Sequence, residues 1–182
     1  MTPFFLASSL ALRVDVGFPW TRIQATQPLG KRAAVIGLFE TALFRRHQLG
    51  IGFSYRWLDR AWVIDGDVLL GATHQKGTIL ERGPAAEARI KVQKNTGTVL
   101  PWLSLGLRPT LMVNQYNIDA INGYRTEYSI DYTLSYTGTM GIDVQFKKGF
   151  GLGLGLDFPL IDSEGISIPG LHLSASWGKR NR

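Results

Sequence analysis

Large apolar residues recur at every second position over most of the chain, with glycine, serine or a charged residue between them. Between Leu10 and Trp20 the apolar set is Leu12, Val14, Val16 and Phe18, opposed by Arg13, Asp15 and Gly17. From Leu49 to Trp57 it is Leu49, Ile51, Phe53, Tyr55 and Trp57, against Gly50, Gly52, Ser54 and Arg56. The segment "GFGLGLGLDF" is the extreme form: Phe150, Leu152, Leu154, Leu156 and Phe158 alternate with Gly151, Gly153, Gly155 and Asp157. A helix would scatter these residues around its circumference and lose about 1 kcal/mol at each glycine relative to alanine. A strand sorts them onto two faces. The pattern therefore predicts half-exposed strands.

The alternation continues downstream. Trp62, Ile64, Val68 and Leu70 oppose Asp65 and Asp67, and Ala86, Ala88, Ile90 and Val92 oppose Glu87, Arg89, Lys91 and Gln93. Leu103, Leu105, Leu107, Leu111 and Val113 oppose Ser104, Gly106, Arg108 and Thr110. Pro109 cannot donate to a ladder, so a bulge is expected there. The series from Tyr128 to Phe146 keeps one parity, and Leu171, Leu173, Ala175 and Trp177 oppose His172, Ser174 and Ser176. "RAAVIGLFETALFRRH" is ambiguous. It fits a strand, but Val35, Leu38, Phe39, Ala42 and Leu43 also make a helical stripe; a strand extension is preferred.

With 33–57 and 124–146 continuous, eight strands result, and ten is the alternative count. Short turns at 58–60, 95–97 and 147–149 then alternate with long connections at 21–32, 74–84, 114–123 and 159–167. The expected fold is all-β, an antiparallel up-and-down barrel forming a single domain over 1–182, with its strands within 10–178.

A soluble barrel needs a polar outside, whereas here the second face holds glycine, serine, aspartate and arginine. Inside a narrow closed barrel, such small residues leave room for charged side chains from neighbouring strands. The expected lumen network is Arg13, Asp15, Arg56, Asp65, Asp67, Glu87, Arg89, Lys91, Arg108, Asp131, Asp143 and Asp157, charges that can satisfy one another only if buried together. The leucines then face lipid, and the fold is a transmembrane β-barrel. On this reading Leu154→Arg is costly and Gly153→Ser is mild. Trp57, Trp62, Trp102 and Trp177 fall near the short-turn end and Trp20 at the opposite end, as interfacial girdles would.

Taken together, residues 10–178 resemble the small outer-membrane β-barrel proteins of Gram-negative bacteria by pattern, without a specific motif. The resemblance implies termini and short turns in the periplasm, longer loops outside, and an outer-membrane location. That class commonly ends on an aromatic of the last strand, whereas here Trp177 is followed by "GKRNR". The start, "MTPFFLASSLAL", has no positively charged n-region and is read as following a removed signal peptide.

Composition narrows the chemistry. No stretch of 18 apolar residues exists to make a transmembrane helix, and the chain has no cysteine for disulfides or thiolate metal sites. The net charge of +6 comes with no nucleic-acid-binding motif, so no nucleic-acid partner is expected. His47, His74 and His172 lack metal-ligand spacing, and neither a metal nor another cofactor is expected. His172 and Ser174 resemble the His-x-Ser pair of outer-membrane lipid A deacylases. No carboxylate follows in the tail to orient the histidine, and a hydrogen-bonded interior histidine is the preferred reading, with no catalytic residues assigned.

Arg22, Lys31, Arg32, Arg45 and Arg46 are expected together on the long-loop rim. There they are candidates for contact with anionic lipid such as lipopolysaccharide. The expected function is therefore a non-enzymatic envelope barrel with a structural, anchoring or interaction role, its partners outer-membrane lipid and an envelope protein. A narrow solute pore and a lipid-modifying enzyme are the alternatives.

Overall fold

The computed structural model describes residues 10–18, 20–42, 46–76, 80–120, 123–146, 149–161 and 169–178. These form ten strands: β1 Ala11–Phe18, β2 Trp20–Pro28, β3 Ala33–Ala42, β4 Arg46–Asp59, β5 Trp62–Lys76, β6 Leu80–Lys94, β7 Val99–Ala120, β8 Gly123–Gln145, β9 Phe150–Ile161 and β10 Gly170–Trp177. Each pairs antiparallel with its sequence neighbours, and β1 pairs with β10 to close the barrel. The eight-strand count is thus corrected to ten. Residues 21–28, expected inside a long connection, belong to β2, and 33–57 divides into β3 and β4, which pair from Ala33↔Tyr55 to Ala42↔Arg46. Nearly all of 124–146 does form one strand, as expected, β8 ending at Gln145.

The ambiguity of the 33–46 segment has a physical cause. In β3 both faces are apolar: Phe39 is exposed, while Ile36 and Leu38 are buried inside. The inward residues of β4 that pair with them are Gly52 and Gly50. With no side chain there, Ile36 and Leu38 meet Leu69 of β5 and form a small apolar core inside the barrel. A Cβ at Gly52 would run into the Val68 carbonyl, so β4 and β5 approach each other here as only glycine permits.

The expected alternation of short and long connections is also absent. The described residues of 74–84 and 114–123 continue the β5–β6 and β7–β8 pairing, down to Lys76↔Leu80 and Ala120↔Gly123. Residues 162–167 of the fourth connection lie outside the described residues. Pro109 causes no bulge: it pairs with Leu134 in an unbroken β7–β8 register. The register shifts lie between Arg56 and Leu58 and between Tyr136 and Thr137.

The end of the barrel bearing Leu10 and Gly178, with the turns at 29–32 and 60–61, is termed proximal, and the other distal. At the distal end β7 and β8, of 22 and 23 residues, outrun their neighbours. Pairing to β6 stops at Gln115 and pairing to β9 at Tyr136. Beyond those points the described residues form a two-stranded ribbon.

The outside is a continuous apolar belt. Leu49, Ile51, Phe53, Leu70, Ile142, Leu154 and Leu173 are all at least half exposed, on five different strands. A surface of this extent is unsupportable in water and suits hydrocarbon. The closed ring leaves no free sheet edge along the wall, as a bilayer requires. The protein is a transmembrane β-barrel.

Candidate functional site

The second face of every strand lines the lumen, and its charged residues pair across it. Glu40 of β3 accepts hydrogen bonds from Arg22 of β2 and from Arg108 of β7, the latter 2.9 Å from Arg108 Nη1. β3 and β7 stand four places apart in the ring of ten strands, so Arg108 crosses the lumen. Its other terminal nitrogen donates to Glu87 at 2.9 Å. A second crossing runs from Arg89 of β6, which donates to Gln24 of β2 at 3.1 Å and to Asp67 at 2.8 Å.

Nearer the proximal end Arg13 bridges Asp15 at 2.7 Å and Asp143 at 2.8 Å, and Lys91 lies 3.8 Å from Asp143. Both cations also sit over Trp102, 5.4 Å and 4.7 Å from its ring centroid. Arg56 pairs with Asp65 at 2.8 Å, close to the proximal rim. Charges removed from water are tolerable when each has an opposite partner and directed hydrogen bonds. The alternating chain Arg22–Glu40–Arg108–Glu87 supplies both.

Small inward residues of β9 make this filling fit. A Cβ at Gly153 would collide with the Asp143 carboxylate and the Ser174 hydroxyl, and one at Gly155 with the His172 ring. What remains open is limited. A distal cavity of about 110 Å³ is bordered by Trp20, Arg46, Arg108, Tyr136 and Phe158. A cavity of about 90 Å³ lies beside Arg13, Lys91 and Trp102. The two share Arg22, Arg89, Asp157 and His172 as walls.

Of the twelve charged residues expected in the lumen, ten enter ion pairs among themselves or with Glu40: Arg13, Asp15, Arg56, Asp65, Asp67, Glu87, Arg89, Lys91, Arg108 and Asp143. Asp157 instead meets His172 Nδ1 at 3.0 Å. Asp131 accepts from Asn114 at the base of the distal ribbon. Glu40, the centre of the network, was not among the expected residues. The strand reading of the segment, with Val35 and Phe39 on the outer face, already turns Glu40 to the same side as Ile36 and Leu38.

The aromatic girdle is corrected in two places. Trp57, Trp62 and Trp177 face outward near the proximal end, and Phe150 packs on Trp177 with ring centroids 5.6 Å apart. Trp102 instead faces the lumen, 8% exposed, because it shares the parity of Ser104 and Arg108. Trp20 lines the distal cavity.

The basic group does not share one rim. Lys31 and Arg32 lie in the proximal β2–β3 turn, whereas Arg22 is inside the barrel on Glu40 and Arg46 lines the distal cavity. Insertion of β2 as a strand moves the 29–32 turn to the end opposite Ala42 and Arg46, and it is this that divides the set. Arg45 lies outside the described residues.

His172 does gain a carboxylate, Asp157, from the preceding strand. Its ring lies against Trp102, 6.2 Å between centroids. Ser174 Oγ donates to Asp143 at 3.5 Å, and no hydrogen bond joins it to His172. Both side chains are buried in the lumen, away from the face where an acyl chain would lie. Among the described residues no group of three or more His, Asp or Glu side chains is gathered to hold a metal ion.

No family model matches the chain, and no curated protein matches it. Solved structures similar to it include the KdgM porin, at 9% identity and TM-score 0.46, covering 94% of this chain and 99% of that one. The outer membrane protein Omp33 of Acinetobacter baumannii is 8% identical, with TM-score 0.45 and coverage of 96% and 99%. The N-terminal β-barrel domain of Pseudomonas aeruginosa OprF is 10% identical, with TM-score 0.39 and coverage of 93% and 96%. An even number of antiparallel strands, an apolar outer belt, a proximal aromatic girdle and a polar interior together make this chain a small barrel of the outer-membrane type.

Proposed function

We propose that the chain is a non-enzymatic outer-membrane barrel whose lumen is shut by its own side chains, and that it serves as an anchor or interaction platform. The observation that carries this reading is the pair of lumen crossings, Arg108 to Glu40 and Arg89 to Gln24. Eight strands enclose an interior just wide enough for side chains to fill, and ten enclose more. Closing the wider barrel takes long side chains from nearly opposite walls, and arginine supplies the length and the bidentate fork. The internal apolar contact of Ile36, Leu38 and Leu69 fills the side between β3 and β5.

Planar-bilayer recording tests the reading. The wild type should show no steady conductance, and the Glu40→Ala/Arg108→Ala double variant should show frequent openings. A large, stable wild-type conductance would overturn it in favour of a pore, a reading to which the two wall-sharing cavities lend some support. Hydrolysis of lipid esters by the wild type, lost in His172→Ala, would overturn the non-enzymatic part.

A further inference from the structure

Among the described residues, the outward face carries a cluster of imidazole and guanidinium side chains that the lumen network does not use. His47 of β4 lies directly opposite His74 of β5, and His74 directly opposite Arg82 of β6. Thr41 of β3 continues the row beside His47. Directly opposed residues on one face of a sheet have Cβ atoms about 5 Å apart, so the three basic groups form a single contiguous strip. Parity places them outside. His47 is followed by buried Gln48, and His74 is exposed next to buried Thr73. Arg82 is exposed and has no carboxylate partner among the described residues.

Position along the barrel gives the strip its meaning. On β4 the outward residues between Trp57 and His47 are Tyr55, Phe53, Ile51 and Leu49; on β5 and β6 the matching residues are likewise apolar or glycine. Ten residues of strand at about 3.3 Å each, tilted by about 40°, span roughly 25 Å, the height of the hydrocarbon band of an outer-membrane barrel. The Trp57–Trp62 girdle marks one boundary of that band, and the strip lies at the other. Among the described residues no aspartate or glutamate faces outward between the two boundaries. The distal end, where the paired strands β7 and β8 extend beyond the wall, corresponds to the extracellular side, the side on which such barrels reach furthest from the membrane.

We propose that His47, His74 and Arg82, with Thr41 at the edge, bind the phosphate of a phosphorylated glycolipid in the outer leaflet. The acyl chains lie on Leu49, Leu70, Ala72 and Pro84 directly below. Arg82 supplies the bidentate donor fork, the imidazoles add N–H donors beside it, and the apolar wall sets the headgroup at the right height. This site is distinct from the basic set expected in the sequence, and it rests on the membrane placement, not on the closed lumen.

The test uses the folded protein in detergent, with binding of lipid A followed by native mass spectrometry. Wild type should bind lipid A measurably more tightly than dephosphorylated lipid A. Arg82→Ala should weaken lipid A binding about fivefold, the fold-change of about 1 kcal/mol per basic residue near an anionic surface, and His47→Ala/His74→Ala/Arg82→Ala should weaken it further. Lys94→Ala, at the proximal boundary, should leave it unchanged. Heat-modifiable gel mobility checks that each variant is folded. Equal binding of lipid A by the triple variant and wild type overturns the proposal, as does equal wild-type binding of the dephosphorylated lipid. Inorganic phosphate bound with the same dependence on Arg82 would make this a free-phosphate site and also overturn it. Failure of the wild type to insert into vesicles would instead sink the membrane placement itself.

Discussion

Glu40 is the most consequential single carboxylate in the lumen. It is 3% exposed and accepts four hydrogen bonds, two from Arg22 and two from Arg108. Glu40→Ala removes all four and leaves two guanidinium groups facing an empty position. Breaking a buried pair by deleting one partner costs about 3–5 kcal/mol, because a charge is left uncompensated. Here Arg108 retains Glu87, and Arg22 borders cavities that can admit water. The expected loss is therefore at the lower end, about 3 kcal/mol. Glu40→Gln keeps volume and one acceptor oxygen but loses the charge, and should cost about half as much. Urea unfolding in phospholipid vesicles, followed by tryptophan fluorescence, reads this as a midpoint shift. With a slope of about 2 kcal/mol per molar urea, 3 kcal/mol is roughly 1.5 M. The double-mutant cycle with Arg108→Ala should give a coupling of about 1–3 kcal/mol. A midpoint shift in Glu40→Ala too small to measure, with no coupling in the cycle, would refute the idea that the crossing pair stabilises the barrel.

Leu154→Arg places a cation on the lipid face of β9 and should cost about 2–4 kcal/mol in bilayers if the site is near the midplane. Gly153→Ser, mild by alternation alone, should cost about 1–3 kcal/mol through overpacking against Asp143 and Ser174; Ser174→Gly in the same chain should recover part of that loss, both measured by urea midpoint. Trp102→Ala removes a buried aromatic beneath Arg13 and Lys91 and should cost about 3–5 kcal/mol. Trp57→Ala, on the outer face, should cost clearly less, and a reversed order in the same titration would contradict the inward placement of Trp102.

Alternation made the barrel, its lipid-facing side and most lumen charges readable, because a period of two assigns every residue of a strand to a face. It failed where both faces are apolar. Val35 and Phe39 outside with Ile36 and Leu38 inside read as a helix as easily as a strand, and this hid the β3–β4 break. β2 was hidden for the opposite reason: Arg22, Gln24 and Thr26 face in, while Thr21, Ala25 and Gln27 give the outer face little apolar contrast. Trp102 was misplaced by residue type, since parity with Ser104 already put it inside. The strip of His47, His74 and Arg82 could not be read from sequence, because only cross-strand register brings residues 27 and 8 positions apart into one row.

The overrun of β7 and β8 gives the molecule two tiers of local stability. Within the barrel each strand has neighbours on both sides, so exposing one of its amides to exchange requires disturbing a closed ring. Beyond Tyr136, among the described residues, β8 is held by β7 alone. A two-stranded ribbon is marginal on its own in water, and its opening free energy falls toward the tip while that of the wall stays near the global value. The ribbon can therefore unzip from Ala120↔Gly123 back toward Gln115↔Tyr128 and re-form without any change in the membrane-embedded part. Binding that ordered this extension would be paid in local free energy only, leaving the melting of the barrel untouched.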